Sequence, residues 1–145
     1  RRRHTRYISV TGVQTCALPI CPMFDALHRW YPPKKVRDMM YDQKIEICPL
    51  AYMRGRTFDN AWIIGDEMQN STPSQMKMLL TRIGEGSKMV VIGDPNQHDR
   101  GFEHNGLIDL LEKLPAPTDN IQNVEFTEND VVRHEVVREI LRLYS

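Results

Sequence analysis

Two acidic side chains, Asp66 and Glu67, follow directly after an apolar run in residues 61–70, which read Ala-Trp-Ile-Ile-Gly-Asp-Glu-Met-Gln-Asn. A second apolar run ends in Gly-Asp-Pro-Asn-Gln, which supplies Asp94 and Gln97. Apolar runs without alternation are typical of buried parallel strands, and open α/β sheets bind ligands at the carboxyl ends of such strands. A carboxylate pair there suits a hydrated Mg²⁺ beside a phosphate chain, with the second acid free to orient a water molecule. The alternative is that the two acids begin a turn and cap the next helix.

The two segments resemble the DEAQN-type and TGD-x-x-Q-type segments of the PhoH-like family of P-loop ATPases, which is related to the superfamily-one helicase core. Further blocks of the family follow in the expected order, and the resemblance covers most of residues 21–145. These blocks are residues 49–57, 75–82 and 126–134. The resemblance implies that ATP and Mg²⁺ are the ligands and that ATP hydrolysis is the reaction. It also admits RNA or single-stranded DNA as a partner and assembly into a homo-oligomer.

The resemblance assigns a role to each polar residue of the two segments. Asp66 would hold Mg²⁺ through water, and Glu67 would polarise the attacking water molecule. Gln97 lies where related cores place a glutamine that senses the γ-phosphate, and Gln69 and Asp94 are expected beside the nucleotide. Without the family, Gln97 is a polar turn residue.

Each of the other candidate residues has two interpretations, one functional and one structural. Asp94 would either support the metal shell or form an Asx-turn with Asn96. Arg54 and Arg56 flank a glycine in a loop that would either stay solvated or contact phosphate or a nucleic-acid backbone, since arginine forks match phosphate bidentately. Arg133 resembles an arginine that lies near the nucleotide in the family, in the manner of an arginine finger. By itself it is an ordinary residue at a helix start.

The chain contains no Gly-x-x-x-x-Gly-Lys-[Ser/Thr] sequence, which forms the phosphate-binding loop of P-loop ATPases. In the family this loop lies upstream of the part matched here. The resemblance therefore predicts the C-terminal part of an ATPase, inactive by itself and with little nucleotide affinity of its own. A non-catalytic binding or assembly module that retains the fold is the second hypothesis. A Gly-rich loop upstream of Cys21 and in frame with it would favour the enzyme.

Residues 1–20 show no clean period of 2 or 3.6 and no relation to the family. They resemble the translated sequencing-adapter read-through found at the ends of metagenomic gene predictions. A targeting peptide is the competing interpretation, because a basic start followed by apolar residues imitates one. Against it, polar residues interrupt the apolar stretch and no convincing cleavage site follows. We therefore expect a disordered, non-native segment over 1–20 and a partial ATPase domain over 21–145.

Composition argues against several classes of protein. The 19 basic and 19 acidic residues balance, and leaving out residues 1–20 removes four arginines, so that 15 basic residues then face 19 acidic ones. No apolar run approaches the roughly 20 residues of a membrane helix. The three cysteines are odd in number and lack CxxC spacing, which argues against a disulfide framework or a zinc site and favours the reducing cytoplasm.

The order of helices and strands predicts the fold class. A strand–helix–strand order over 61–92, with Ser71 or Thr72 as the helix N-cap, is the βαβ signature of a parallel sheet. We predict an α/β fold: a parallel-sheet, RecA-like P-loop NTPase core with helices on both faces, truncated at the N-terminus and without its P-loop strand and helix. The predicted helices are 23–30, 35–42, 73–82, 106–113 and 131–143, and the predicted strands are 45–47, 61–65, 88–92 and 124–126.

Three places depart from the family pattern. Gly65 replaces a residue that is more often apolar, and Met68 replaces a common small residue between the acids and Gln69. Residues 98–105 are a divergent version of a loop that often contains Pro and Lys. These changes leave the carboxylates intact, but they leave the ligand preference beside Gln97 open.

Overall fold

The computed structural model describes residues 6–11, 21–97, 105–114, 116–127, 130, 132 and 134–143. Its centre is a four-stranded parallel sheet in the order β2-β1-β3-β4. The strands are β1 Arg6–Thr11, β2 Ile45–Pro49, β3 Ala61–Asp66 and β4 Lys88–Val91. The helices are α1 Cys21–Trp30, α2 Pro33–Tyr41, α3 Pro73–Leu80, α4 Gly106–Lys113 and α5 Glu135–Leu143, with short 3₁₀ turns at Leu50–Met53 and Met68–Asn70. The predicted α/β class is confirmed.

Strand β1 lies in the interior of the sheet, where Tyr7 pairs with Ile45 of β2 on one side and with Trp62 of β3 on the other. The disorder expected of residues 1–20 is therefore wrong for Arg6–Thr11. The run Tyr-Ile-Ser-Val-Thr is rich in β-branched and aromatic residues, and the two neighbouring strands offer it a hydrogen-bonding partner at each edge. The foreign origin of the segment, and with it the domain boundary after residue 20, stays a prediction.

Strand β3 alternates between the two faces of the sheet. Ala61, Ile63 and Gly65 are buried on one face, and the core joins this face to Met76 and Leu79 of α3. These two α3 residues are almost completely buried, as expected for the apolar side of an amphipathic helix. The acid pair therefore stands at the end of a strand that is anchored by the main core.

On the opposite face of the sheet, the described residues cover only the end at β2. Helix α2 contacts β2 and buries Val36, whereas Trp62, Val90 and Ile92 remain between 37% and 48% exposed. The Lys88 ammonium lies 5.4 Å from the centroid of the Trp62 ring and shields part of the indole through a cation–π contact. This face is the more accessible side of β3 and β4.

Helix α3 begins with a capping box. Thr72 Oγ1 accepts the Gln75 N–H at 3.3 Å, Gln75 Oε1 accepts the Thr72 N–H at 2.9 Å, and Pro73 occupies the first turn. Thr72 is therefore the N-cap among the two predicted alternatives. Ser71 is buried instead, and its hydroxyl donates to the Met68 carbonyl at 2.7 Å.

The C-terminal part of the chain differs from its prediction. Residues 121–127 form no strand, because the apolar residues Val124 and Phe126 are exposed and no described strand pairs with them. The predicted helix over 131–143 begins later, at Glu135, and residues 131 and 133 lie outside the described residues. The chain divides into two compact units, Arg1–Lys113 and Leu114–Ser145. Within the described part of the chain, no helix has the length and apolar character needed to cross a membrane.

Candidate functional site

The carboxyl ends of β3 and β4 form one continuous hydrogen-bonded edge. The Ile92 N–H donates to the Gly65 carbonyl at 2.7 Å, and the Met68 N–H donates to the Ile92 carbonyl at 3.1 Å. Asp66 and Glu67 lie between these two bonds on the β3 side. Because the pairing continues past both strands, the acid pair is held beside the loop that follows β4.

Glu67 adopts a left-handed backbone conformation, with φ of 54° and ψ of 37°. Non-glycine residues rarely adopt it, and such conformations concentrate in turns and at functional sites. The turn is closed locally, because Asp66 Oδ1 accepts the Glu67 N–H at 3.0 Å. Glu67 precedes the 3₁₀ turn without a side-chain capping bond, and α3 is capped by Thr72. The acids thus begin a turn, but neither of them caps α3.

The side-chain amide of Gln69 links the two strand ends. Its Nε2 donates to Glu67 Oε2 at 2.7 Å, and its Oε1 accepts the Asp94 N–H at 3.3 Å. Gln69 is only 3% exposed, and buried polar side chains are normally hydrogen-bonded. Both ends of the amide are therefore used inside the protein.

Asp94 forms the Asx-turn that was one of its two interpretations, since its Oδ1 accepts the Asn96 N–H at 2.9 Å. Its Oδ2 accepts a second hydrogen bond, from Gln97 Nε2 at 2.9 Å, and its carbonyl accepts the Gln97 N–H at 3.1 Å. Asp94 therefore orders the turn and holds the Gln97 side chain at the same strand end. Support of a metal shell by Asp94 stays a prediction.

Gly93 permits the close approach of these groups. A Cβ at this position would lie 2.6 Å from Gln69 Oε1 and 2.9 Å from Leu107 Cδ2. Both distances are shorter than real Cβ contacts, so a side chain would displace the amide or the core leucine. The absence of a side chain at residue 93 thus allows Gln69 to reach the loop after β4.

The donor set suits a cation that is shared with phosphate. Mg²⁺ is usually held by one or two carboxylates together with phosphate oxygens and water, rather than by a cage of protein ligands. Among the residues that the structure describes, no group of three or more metal-ligating side chains occurs, so such a cage is absent there. Asp66, half-buried at the strand end, fits the first kind of site.

The loop of Arg54 and Arg56 is held by an ion pair that we did not predict. The two terminal nitrogens of Arg56 donate to the two carboxylate oxygens of Glu46 at 2.5 and 2.9 Å, and the guanidinium lies 4.7 Å from the Phe58 ring centroid. Bonding to Glu46 raises the pKa of Arg56, while burial raises the pKa of the adjacent Cys48 thiol. A contact of Arg56 with phosphate would require this pair to open, whereas Arg54 is exposed.

Arg133 lies outside the described residues, so its role near a nucleotide stays a prediction. A further surface, which we did not predict, is the segment 28–35, in which every residue is exposed. The signal was available, because the segment interleaves cations with aromatic rings and contains no acid. Its sequence is His-Arg-Trp-Tyr-Pro-Pro-Lys-Lys.

The fold and the site together define a class of protein: a parallel α/β domain that gathers carboxylates and amides at the carboxyl edge of two adjacent strands. The family described as PhoH-like protein matches residues 10–145. The chain therefore belongs to the PhoH-like protein family.

Individual relatives agree with this assignment. A PhoH-like protein of Bacillus subtilis is 47% identical over 126 residues, which are 86% of this chain and 39% of the relative. A PhoH-like protein of Synechocystis is 44% identical over 125 residues, or 86% of this chain and 38% of the relative. Protein PhoH of Escherichia coli is 47% identical over 104 residues, or 70% and 29%. The chain thus spans less than two-fifths of the length of these relatives.

Proposed function

We propose that this chain supplies the metal-binding and water-activating part of a Mg²⁺-dependent ATPase. The observation that carries the proposal is the hydrogen-bonded series Glu67–Gln69–Asp94–Gln97, which joins an acid pair at one strand end to a polar turn at the next. Open parallel sheets bind phosphate-bearing ligands at this edge. Membership of the PhoH-like family supports the same proposal, because the sequence resemblance implies an ATPase.

In this proposal each polar residue of the edge has one task. Asp66 holds Mg²⁺ through water, and the metal when bound would neutralise charge on the phosphates. Glu67 orients the attacking water molecule and accepts its proton. Gln97 contacts the γ-phosphate, and Arg133 adds positive charge there.

Metal dependence and the Asp66→Ala variant test the proposal. Because the chain contains no phosphate-binding loop, the test uses a fusion protein in which residues 21–145 follow the upstream part of the Bacillus subtilis relative. The upstream part then has to supply the strand that pairs with β2 and β3 in place of β1. We expect ATP hydrolysis that EDTA abolishes and excess Mg²⁺ restores. Asp66→Ala should weaken Mg²⁺-dependent ATP binding as well as turnover, because it removes the carboxylate that holds the hydrated metal.

The matched control is Asp25→Ala, which removes an exposed aspartate of α1 outside the site and should leave turnover unchanged. A stably folded fusion protein that binds ATP but never hydrolyses it would favour the second hypothesis, a binding or assembly module. Hydrolysis that is indifferent to both EDTA and Asp66→Ala would contradict the assignment of Asp66.

We further propose that the ATPase acts on single-stranded nucleic acid through the exposed segment 28–35. Trp30 is 82% exposed and Tyr31 is 42% exposed, and Arg29, Lys34 and Lys35 lie beside them in the sequence. Aromatic rings stack on unpaired bases while cations contact the backbone phosphates, and this combination binds single strands with little sequence preference. A local basic segment of this kind acts even in a chain of zero net charge.

Fluorescence anisotropy with labelled oligonucleotides of about 12 nucleotides, a length within the usual site size, tests this surface. We expect the 145-residue chain to bind oligo(U) or oligo(dT), with affinity that falls as salt rises. Trp30→Ala and Lys34→Ala should each weaken binding, whereas Tyr41→Ala removes a highly exposed ring at the end of α2, outside the segment, and serves as control. Binding that is independent of Trp30 and of salt would contradict the proposal, and comparison of the two oligonucleotides separates RNA from DNA.

A further inference from the structure

The Gln69 side chain has a position unlike that of a ligand-binding amide. It is 97% buried, its nitrogen is bonded to the Glu67 carboxylate, and its oxygen is bonded to the Asp94 backbone. Each end of the amide has one further hydrogen-bonding site, but with 3% of the residue exposed neither end offers a nucleotide a surface to contact. Turning the side chain outward would break both bonds, and a buried polar group that loses its partner costs roughly 1–3 kcal/mol. The sequence resemblance had instead implied that Gln69 binds the nucleotide.

The bond from Gln69 to Glu67 restrains a side chain that is otherwise free to rotate. Glu67 is exposed, and a glutamate has three rotatable bonds whose freedom must be reduced before its carboxylate can hold one water molecule in line. A donor at 2.7 Å fixes one carboxylate oxygen and leaves the other to the water. The restraint therefore acts directly on the group that the proposed reaction requires.

The bond from Gln69 to Asp94 carries the restraint to the second strand end. Asp94 in turn holds Gln97 Nε2 at 2.9 Å, so one series of hydrogen bonds runs from Glu67 to Gln97. Gly93 leaves no space for a side chain beside this amide, since a Cβ there would lie 2.6 Å from the same amide oxygen. A shift of the loop after β4 would therefore change the position of the Glu67 carboxylate through these bonds.

We propose that Gln69 is a positioning residue, which fixes the Glu67 carboxylate and couples it to the Asp94–Gln97 turn, and that it makes no contact with the nucleotide. The inference rests on the proposed function for its consequence in catalysis. The hydrogen-bonded link itself is independent of that function and can be tested in the 145-residue chain.

A swap of the two side chains tests the link without any measurement of activity. Gln69→Glu alone replaces the donor by a second carboxylate, so two like charges face one another and the chain should lose stability. Adding Glu67→Gln restores an amide donor and a carboxylate acceptor in reversed order, and the oxygen at position 69 still accepts the Asp94 N–H. We expect the double variant to recover at least half of the loss in Tm. A double variant no more stable than Gln69→Glu would overturn the link.

Kinetics of the fusion protein test the consequence for catalysis. Gln69→Leu removes both hydrogen bonds at similar size, and we expect kcat to fall about 10-fold while KM for ATP changes less than about threefold, the pattern of an interaction made in the transition state. In the Glu67→Gln background the same substitution should cause no further fall, because Gln69 acts through Glu67. A rise in KM at unchanged kcat, or an equal loss in both backgrounds, would overturn the inference.

The swap and the kinetic experiment also distinguish a failure of the positioning role from a failure of the proposed function. If Glu67→Gln alone leaves turnover unchanged, the function assigned to Glu67 fails, while the swap still reports whether the link exists. If Glu67→Gln abolishes turnover and Gln69→Leu does not affect it, the proposed function stands and the positioning role of Gln69 fails.

Discussion

At the scale of single residues, Gly65 and Met68 flank the acid pair in the sequence and lie next to each other in the core. A Cβ on Gly65 would lie 3.2 Å from Met68 Cγ and 3.0 Å from Leu79 Cδ2, and the methionine and leucine are fully buried. Relative to the family pattern, one side chain is absent at residue 65 and a longer one stands at residue 68. Because protein interiors are close-packed, these two departures compensate each other in the core beneath the acids.

We expect Gly65→Leu and Met68→Ala to destabilise the chain when made singly. The first overpacks the core at a cost of about 1–3 kcal/mol, and the second leaves a cavity at a cost of about 2–5 kcal/mol. The double variant refills the space, so its loss should be clearly smaller than the sum of the two. Urea unfolding measures all three. Met68→Ala combined with the distant Val36→Ala is the control, for which we expect the two losses of stability to add. Additive losses for Gly65→Leu and Met68→Ala as well would contradict the compensation.

The candidate site was predictable only where its signal is local. Asp66 and Glu67 follow an apolar run directly, so their place at a strand end could be read from neighbouring residues. The contacts of Gln69 could not, because they depend on the position of Asp94 in a later loop and on the bare backbone at Gly93. An amide has no preferred partner in sequence, and its orientation is decided by packing.

At the scale of elements, helices were predicted well because their caps and apolar spacing are local. Helix α4 has its predicted bounds, and the start of α3 follows from Thr72 and Pro73. Strands depend on partners that sequence periodicity does not reveal. The apolar residues of 124–126 have no partner strand in the described part of the chain, whereas Arg6–Thr11 pairs on both edges despite its exclusion on grounds of resemblance.

Removal of β1 tests its place in the sheet. We expect a chain that begins at Cys21 to lose cooperative unfolding or to melt far below the 145-residue chain, because β2 would lose its partner within the sheet and β3 would keep only β4. Thermal unfolding followed by circular dichroism measures this. A chain that lacks only residues 1–5 keeps β1 and is the matched control. An unchanged Tm after removal of residues 1–20 would show that β1 contributes nothing to the fold.

At the scale of the whole molecule, the chain supplies one edge of a site and less than two-fifths of the length of its relatives. The acid pair and the polar turn lie within Arg1–Lys113, on strands that pair with one another. The phosphate-binding loop implied by the resemblance is not in the sequence. The proposed activity therefore belongs to the longer protein, and the fusion protein is the form in which to measure it.

The central claim is that Glu67 activates water at a site where Asp66 holds the metal. The most direct test is the turnover of the Glu67→Gln variant of the fusion protein, measured beside its affinity for MgATP. The substitution keeps size and hydrogen bonding but removes the base, so kcat should fall on the order of 10²-fold or more while the Kd for MgATP changes little. A Glu67→Gln variant that hydrolyses ATP at nearly the unsubstituted rate would contradict the claim.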